Sequence, residues 1–215
     1  MSNPWLIGAV IGVVLSGALA IAGIERGPRV LTLIFKPLAT LLLLAVVGWP
    51  TTTFARLVDV GILLSLVGDV ALLSDSERAF MVGLVGFLAA HVIYIVANLS
   101  VAAFTLIPVV VTLVVLAATT VLLRYVRPTA IALRIATIVY GAAISTMVVT
   151  ASATIGGPLG WSGFAAVGAG LFYISDSSLA LDRFHRKIPH VAYLALGVYW
   201  LGQLGIALAA RGPVL

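Results

Sequence analysis

Residues 5–49 read WLIGAVIGVVLSGALAIAGI, then ERGPR, then VLTLIFKPLATLLLLAVVGW. A bilayer's hydrocarbon core takes about 20 mostly apolar residues of helix to cross, and each outer run supplies that length. The stretch between them gathers Glu25, Arg26, Gly27, Pro28 and Arg29, turn formers and charges together, as in a loop at a membrane surface. The reading is a helical hairpin through a membrane. Lys36-Pro37, set inside the second arm, is its discordant feature.

Outward from this hairpin the same pattern continues. Apolar runs fall near 5–24, 30–49, 56–74, 79–98, 101–123, 130–152, 160–180 and 189–210. They are parted at Glu25-Arg26-Gly27-Pro28, Trp49-Pro50, Asp75-Ser76-Glu77-Arg78, Arg127-Pro128, Gly156-Gly157-Pro158 and from Asp182 to Pro189. Between the fourth and fifth runs only Asn98 and Ser100 mark a break. The expected fold is all-α, a polytopic membrane bundle of about eight transmembrane helices in a single domain over 1–215. No connection is long enough to form a second domain. Composition agrees: the chain is 62% hydrophobic and 9% charged, with a mean hydropathy of +1.24, whereas a soluble domain carries roughly 25% charged residues. It has no cysteine, which excludes disulfides, thiolate chemistry and Cys-based metal sites. The opening Met1-Ser2-Asn3-Pro4 lacks the basic region of a cleaved signal.

The net charge of +5 does not mark a nucleic-acid binder, because the basic residues stand singly or in short clusters between apolar runs, where they orient helices. Arg26, Arg29, Arg78, Arg124, Arg127, Arg134, Arg183, Arg186 and Lys187 follow the first, third, fifth and seventh runs, and only Arg56 and Arg211 lie on the other side. Lys and Arg favour cytoplasmic loops. A multi-pass cell-membrane protein with both termini non-cytoplasmic is therefore expected.

Ionisable groups at membrane depth cost several kcal/mol unless paired or hydrated, so each is a functional candidate by default. Four stand out: Lys36, Asp69, His91 and Asp176; Asp59 lies nearer the outer end of its helix. Asp69 precedes the loop residue Asp75 by six positions, as Asp176 precedes Asp182. At 1.5 Å per residue both carboxylates should lie roughly 9 Å inside the cytoplasmic boundary. Lys36 falls at a similar depth, and His91 is expected deeper, near or past the midplane. The matched stretches Asp69-Val-Ala-Leu-Leu-Ser-Asp75 and Asp176-Ser-Ser-Leu-Ala-Leu-Asp182 invite a parallel duplication of four helices plus four, although the halves do not align elsewhere.

Structural roles compete for each residue. Lys36 has a stem long enough to snorkel to the headgroups; Asp69 and Asp176 are too short for that and would pair with Lys36 instead. His91, Tyr94, Tyr140, Tyr173, Tyr199 and Gln203 can serve as interhelical hydrogen-bonding glue. Two buried carboxylates near one lysine cannot all be charged without net negative charge in low dielectric, so one is expected to keep its proton. An acid beside an ionised carboxylate suits cleavage of acetal-like C–O bonds. The same pair can relay protons in a transporter, and the residues alone do not choose between the two. A third reading, a metal-dependent hydrolase with His91, Asp69 and Asp176 as ligands, has few nitrogen ligands for zinc.

Lys36-Pro37-Leu38, Gly68-Asp69-Val70-Ala71-Leu72-Leu73, Phe80 to Phe87 followed by His91 and Tyr94, Ser175-Asp176-Ser177 with Leu179-Ala180, and Tyr199 with Gln203 together resemble the YhhN-like lysoplasmalogenase family of eight-helix membrane proteins. The resemblance runs in order and spacing over nearly the whole chain. It implies hydrolysis of the vinyl ether bond of a lysoplasmalogen, releasing a fatty aldehyde and glycerophosphoethanolamine or glycerophosphocholine. Asp69 and Asp176 would be the acid and its charged partner, in either order. Lys36 would fix their protonation or hold the substrate phosphate, and His91, Tyr94, Tyr140, Ser175, Tyr199 and Gln203 would line or support the cavity. No cofactor is implied. The expected partners are a lysophospholipid substrate and the bilayer, with no nucleic acid and no obligate protein partner. The alternative is a proton-coupled small transporter or a lipid-binding membrane protein.

Overall fold

In the computed structural model, which describes residues 4–212, the apolar runs fold as eight α-helices. These are α1 (Pro4–Glu25), α2 (Arg29–Val47), α3 (Thr53–Ala71), α4 (Glu77–Leu99), α5 (Ile107–Tyr125), α6 (Ile131–Ser152), α7 (Ser162–Phe184) and α8 (Val191–Arg211). Met1-Ser2-Asn3 of the leader lies outside the described residues. Seven of the helices are long and apolar enough to cross a membrane, and the chain is a multi-pass membrane protein. The exception is α3, which matches α2 and α5 at 19 residues but carries Arg56, Asp59 and Asp69. It packs against α2, α4 and α8, and Asp69 is only 1% exposed. Its deepest charge is turned into the bundle.

Local chemistry sets the boundaries. The Thr52 hydroxyl accepts from the Ala55 amide at the start of α3, and Ser76 does the same for Ala79 at the start of α4, so each cap satisfies an amide that has no partner within the helix. The fifth helix starts at Ile107, six residues after the expected 101. Pro108 explains the shift, because its ring is suited to a first helical turn. The segment before it runs irregularly, and there the Ala103 amide donates 2.7 Å to the Ala153 carbonyl. The third helix lies three residues earlier than expected at both ends, and α7 continues past its expected end through Asp182 to Phe184. Asp182 does not break the helix; its carboxylate accepts from the Ile188 amide and from Lys187, both at 2.8 Å, and so braces the loop that follows.

Ties between loops define one end of the bundle. Arg29 donates to the Leu73 carbonyl at 3.0 Å, Glu25 meets His190 at 2.5 Å, and the Arg183 guanidinium lies over the Phe80 ring at 3.6 Å. Tyr125 and His185 pack edge to face at 5.2 Å. The connections after α1, α3, α5 and α7 thus share the basic end. At the opposite end Arg211 donates to the Val46 carbonyl at 3.0 Å.

The core lies between every helix but α5, and in it Val13, Leu43, Val58, Ile62 and Phe172 are fully enclosed, with Met147 of α6 beside them. Two glycines set the α7–α8 distance. A β-carbon on Gly168 would stand 2.5 Å from the Gly202 carbonyl oxygen and 2.9 Å from the Ile206 amide nitrogen, so the backbones touch where small residues permit it. By contrast, α5 buries only Val115. It forms the loose outer wall of a cavity that the other helices build.

Candidate active site

A cavity of about 160 Å³ is lined by residues from every helix except α1. Its walls are mostly apolar, with Leu72, Leu84, Phe87, Leu122, Ile144 and Leu196 among them. Lys36, Asp69, Tyr140, Ser175, Asp176 and Tyr199 supply polar groups to the same lining. Side chains on a helix lean toward its N-terminus, and this explains why these groups converge. Helices α3 and α7 run toward the basic end, so Asp69 and Asp176 lean away from it. Helices α2, α4, α6 and α8 run the other way, so Lys36, His91, Tyr140 and Tyr199 lean back to meet them.

Asp69 is surrounded by donors. Its Oδ2 accepts from Thr40 Oγ1 at 2.6 Å and from Tyr199 OH at 2.8 Å, and its Oδ1 faces Lys36 Nζ at 3.5 Å. Lys36 also donates to the main-chain carbonyl of Asp69 at 3.1 Å. That carbonyl belongs to the last turn of α3, where oxygens lack a helical partner and the helix dipole favours a cation. Lys36 is 5% exposed. Its ammonium is therefore committed to Asp69, and the snorkelling geometry is not adopted.

Asp176 has a different setting. Its Oδ2 accepts from Tyr140 OH at 2.5 Å, and His91 Nε2 lies 3.7 Å away. No Lys or Arg pairs with it among the described residues. The His91 ring packs against Tyr140 at 5.1 Å and Phe172 at 4.8 Å. Counting residues along α4 put His91 deeper than the carboxylates, yet its imidazole meets Asp176 because the two side chains lean toward each other.

Three of the expected lining residues stand behind the wall. His91, Tyr94 and Gln203 are buried without facing the cavity. Tyr94 donates to Gln203 Oε1 at 2.7 Å, and Gln203 donates to Tyr199 OH at 3.4 Å. This column orients the phenol that donates to Asp69. Among the described residues no three His, Cys, Asp or Glu side chains gather around one point: His91 stands with Asp176, while Asp69 stands with Lys36.

Sequence reading missed Thr40, Trp200 and Arg183. Thr40 sits one turn after Lys36 on the same face of α2, which is a legible spacing, and Trp200 Nε1 donates to its hydroxyl at 3.3 Å. Arg183 lines the cavity at the basic end, although its sequence position suggested only a loop charge. The two aspartates are also partnered from corresponding helices. Asp69 on α3 is met from α2 and α8, and Asp176 on α7 from α6 and α4.

Residues 31–210 match the profile of the YhhN family. Lysoplasmalogenase TMEM86B of Sus scrofa is 32% identical over 179 residues, covering 75% of this chain and 71% of that protein. Lysoplasmalogenase TMEM86B of Homo sapiens is 31% identical over 170 residues, covering 77% and 68%. No solved structure matches the chain.

Proposed function

Since the chain belongs to the YhhN family, we propose that it is a membrane-embedded hydrolase that cleaves the vinyl ether bond of a lysoplasmalogen. The products are a fatty aldehyde and a glycerophospho-alcohol. One observation carries the mechanism: two carboxyl groups line a single apolar cavity, one held by an ammonium and two hydroxyls, the other without a paired Lys or Arg.

Asp69, in an ion pair with Lys36, is the carboxylate. Asp176, which a phenol reaches on one oxygen only, is the acid. The Asp176 proton goes to the β-carbon of the vinyl ether, and the α-carbon becomes an oxocarbenium ion. An anionic Asp69 in a site of low dielectric favours that cation over the neutral ground state. Water then adds to the α-carbon and gives a proton back to the Asp176 carboxylate. The hemiacetal collapses as its carbon–oxygen bond to glycerol breaks, the glycerol oxygen takes the hydroxyl proton, and the aldehyde leaves. The sum is one ether and one water to one aldehyde and one alcohol.

The assay is direct. Purified protein in detergent should release aldehyde from a 1-alkenyl lysophospholipid and none from its saturated 1-alkyl analogue. Equal turnover of the two, or of neither, rejects the reading.

The bundle is proposed to form a single transmembrane domain with its basic end in the cytoplasm and both termini opposite, following the distribution of Lys and Arg. The chain lacks cysteine, so one introduced thiol reports cleanly. Ser74→Cys, in the connection between α3 and α4, should react with an impermeant maleimide in inverted vesicles and stay unlabelled in intact cells. The reverse pattern would invert the topology.

A further inference from the structure

Two cations line the cavity, and one of them is spent. Lys36 is buried against Asp69 and its carbonyl. Arg183 is exposed at the basic end, and no carboxylate pairs with it among the described residues. Its neighbour Asp182 is engaged by Lys187 and the Ile188 amide. The Arg183 guanidinium carbon lies 3.6 Å from the centroid of the Phe80 ring and 5.9 Å from that of Phe184. Cation–π attraction holds the group against the Phe80 ring, and among the described residues no hydrogen bond or carboxylate takes up its N–H donors.

The register of α7 ties this cation to the chemistry. Asp176 and Arg183 are seven positions apart, two turns that return to the same face within ~20°, and both line the cavity with Ala180 between them. The axial separation is about 10.5 Å, and a flexible arginine can span part of it. In a 1-alkenyl lysophospholipid the glycerol that separates the ether oxygen from the phosphorus is a short chain, several ångström when extended. A vinyl ether at Asp176 therefore leaves the phosphate near Arg183.

We infer that Arg183, stacked on Phe80 at the mouth of the cavity, is the subsite for the phosphodiester of the lipid headgroup. The inference rests on the hydrolase reading for its substrate, but its geometry stands apart from the reaction. A guanidinium edge matches two phosphate oxygens in a bidentate contact that an ammonium cannot copy. The headgroup then stays at the aqueous rim and the alkenyl chain points into the bundle. Lys36 is left as the partner of Asp69 and does not bind phosphate.

The test separates binding from turnover. Titration calorimetry in detergent compares a non-hydrolysable 1-alkyl lysophosphocholine, the matching 1-alkylglycerol without phosphate, and glycerophosphocholine without a chain. Arg183→Ala should weaken the first at least tenfold and leave the second alike in variant and parent, and Arg183→Lys should recover only part of the loss. In turnover of the 1-alkenyl substrate the same variants should raise KM with little change in kcat. Arg186→Ala, in the loop beyond α7, controls for general surface charge. Equal loss on both lipids, no loss on the phospholipid, an equal effect of Arg186→Ala, or chain-free glycerophosphocholine binding as tightly as the lipid would each overturn the subsite. Phosphate-dependent binding through Arg183 without aldehyde release would keep the subsite and reject the hydrolase reading.

Discussion

Asp176→Asn should lower aldehyde release by about two to four orders of magnitude, the range a positioned general acid supplies. The substitution keeps the shape of the side chain and an oxygen to accept from Tyr140, which donates at 2.5 Å, so the bundle should melt within a few degrees of the parent. What is lost is the transferable proton. Protonation at carbon also leaves a record in the product: in deuterated water the aldehyde should carry one deuterium on the carbon beside its carbonyl. Mass spectrometry of the trapped aldehyde reads that label. Turnover by Asp176→Asn at the parental rate would remove the acid from the mechanism. Aldehyde formed in deuterated water without the label would remove carbon protonation altogether.

Much of this site was legible before the fold. Acidic and basic groups inside apolar runs are costly in lipid, so Lys36, Asp69, His91 and Asp176 announce themselves, and the spans bring the first two together as an ion pair. The family resemblance named Ser175, Tyr199 and Gln203, of which the first two line the cavity, as does Tyr140, expected beside them as a supporting residue. Legibility failed where side-chain direction mattered more than position. His91 and Asp176 differ in depth by residue count and still meet, because antiparallel helices aim their side chains at each other. Tyr94 and Gln203 look like lining residues by type, yet they bond each other behind Tyr199. Arg183 was hidden by the placement of the α7 end. A helix expected to stop at 180 runs to Phe184, and only that extra turn puts the arginine on the Asp176 face. Thr40 was legible only through its spacing from Lys36, since a hydroxyl in a run of leucines gives no hydropathy signal.

The unlike surroundings of the two aspartates lead to a second large effect, on stability as well as rate. Asp69→Asn leaves the Lys36 ammonium in the bundle without a countercharge. Removing one partner of a buried ion pair typically costs about 3–5 kcal/mol, because the remaining charge keeps its desolvation penalty. Thr40 and Tyr199 converge on one oxygen of Asp69, at 2.6 and 2.8 Å, so an amide that keeps both contacts turns its N–H donors toward the Lys36 ammonium, donor against donor. The single variant should therefore unfold at a markedly lower temperature and lose aldehyde release by about two orders of magnitude or more. Lys36→Met together with Asp69→Asn removes both charges and keeps a long apolar stem in the same groove. Replacing a buried pair by apolar groups of similar volume is often neutral or stabilising, so the double variant should recover most of the melting temperature while staying inactive. That split separates the two roles of the pair, since stability returns with neutrality and catalysis does not return without the carboxylate. An active double variant would show that the oxocarbenium ion needs no anion here, and Asp69 would then be a structural partner for Lys36 and nothing more.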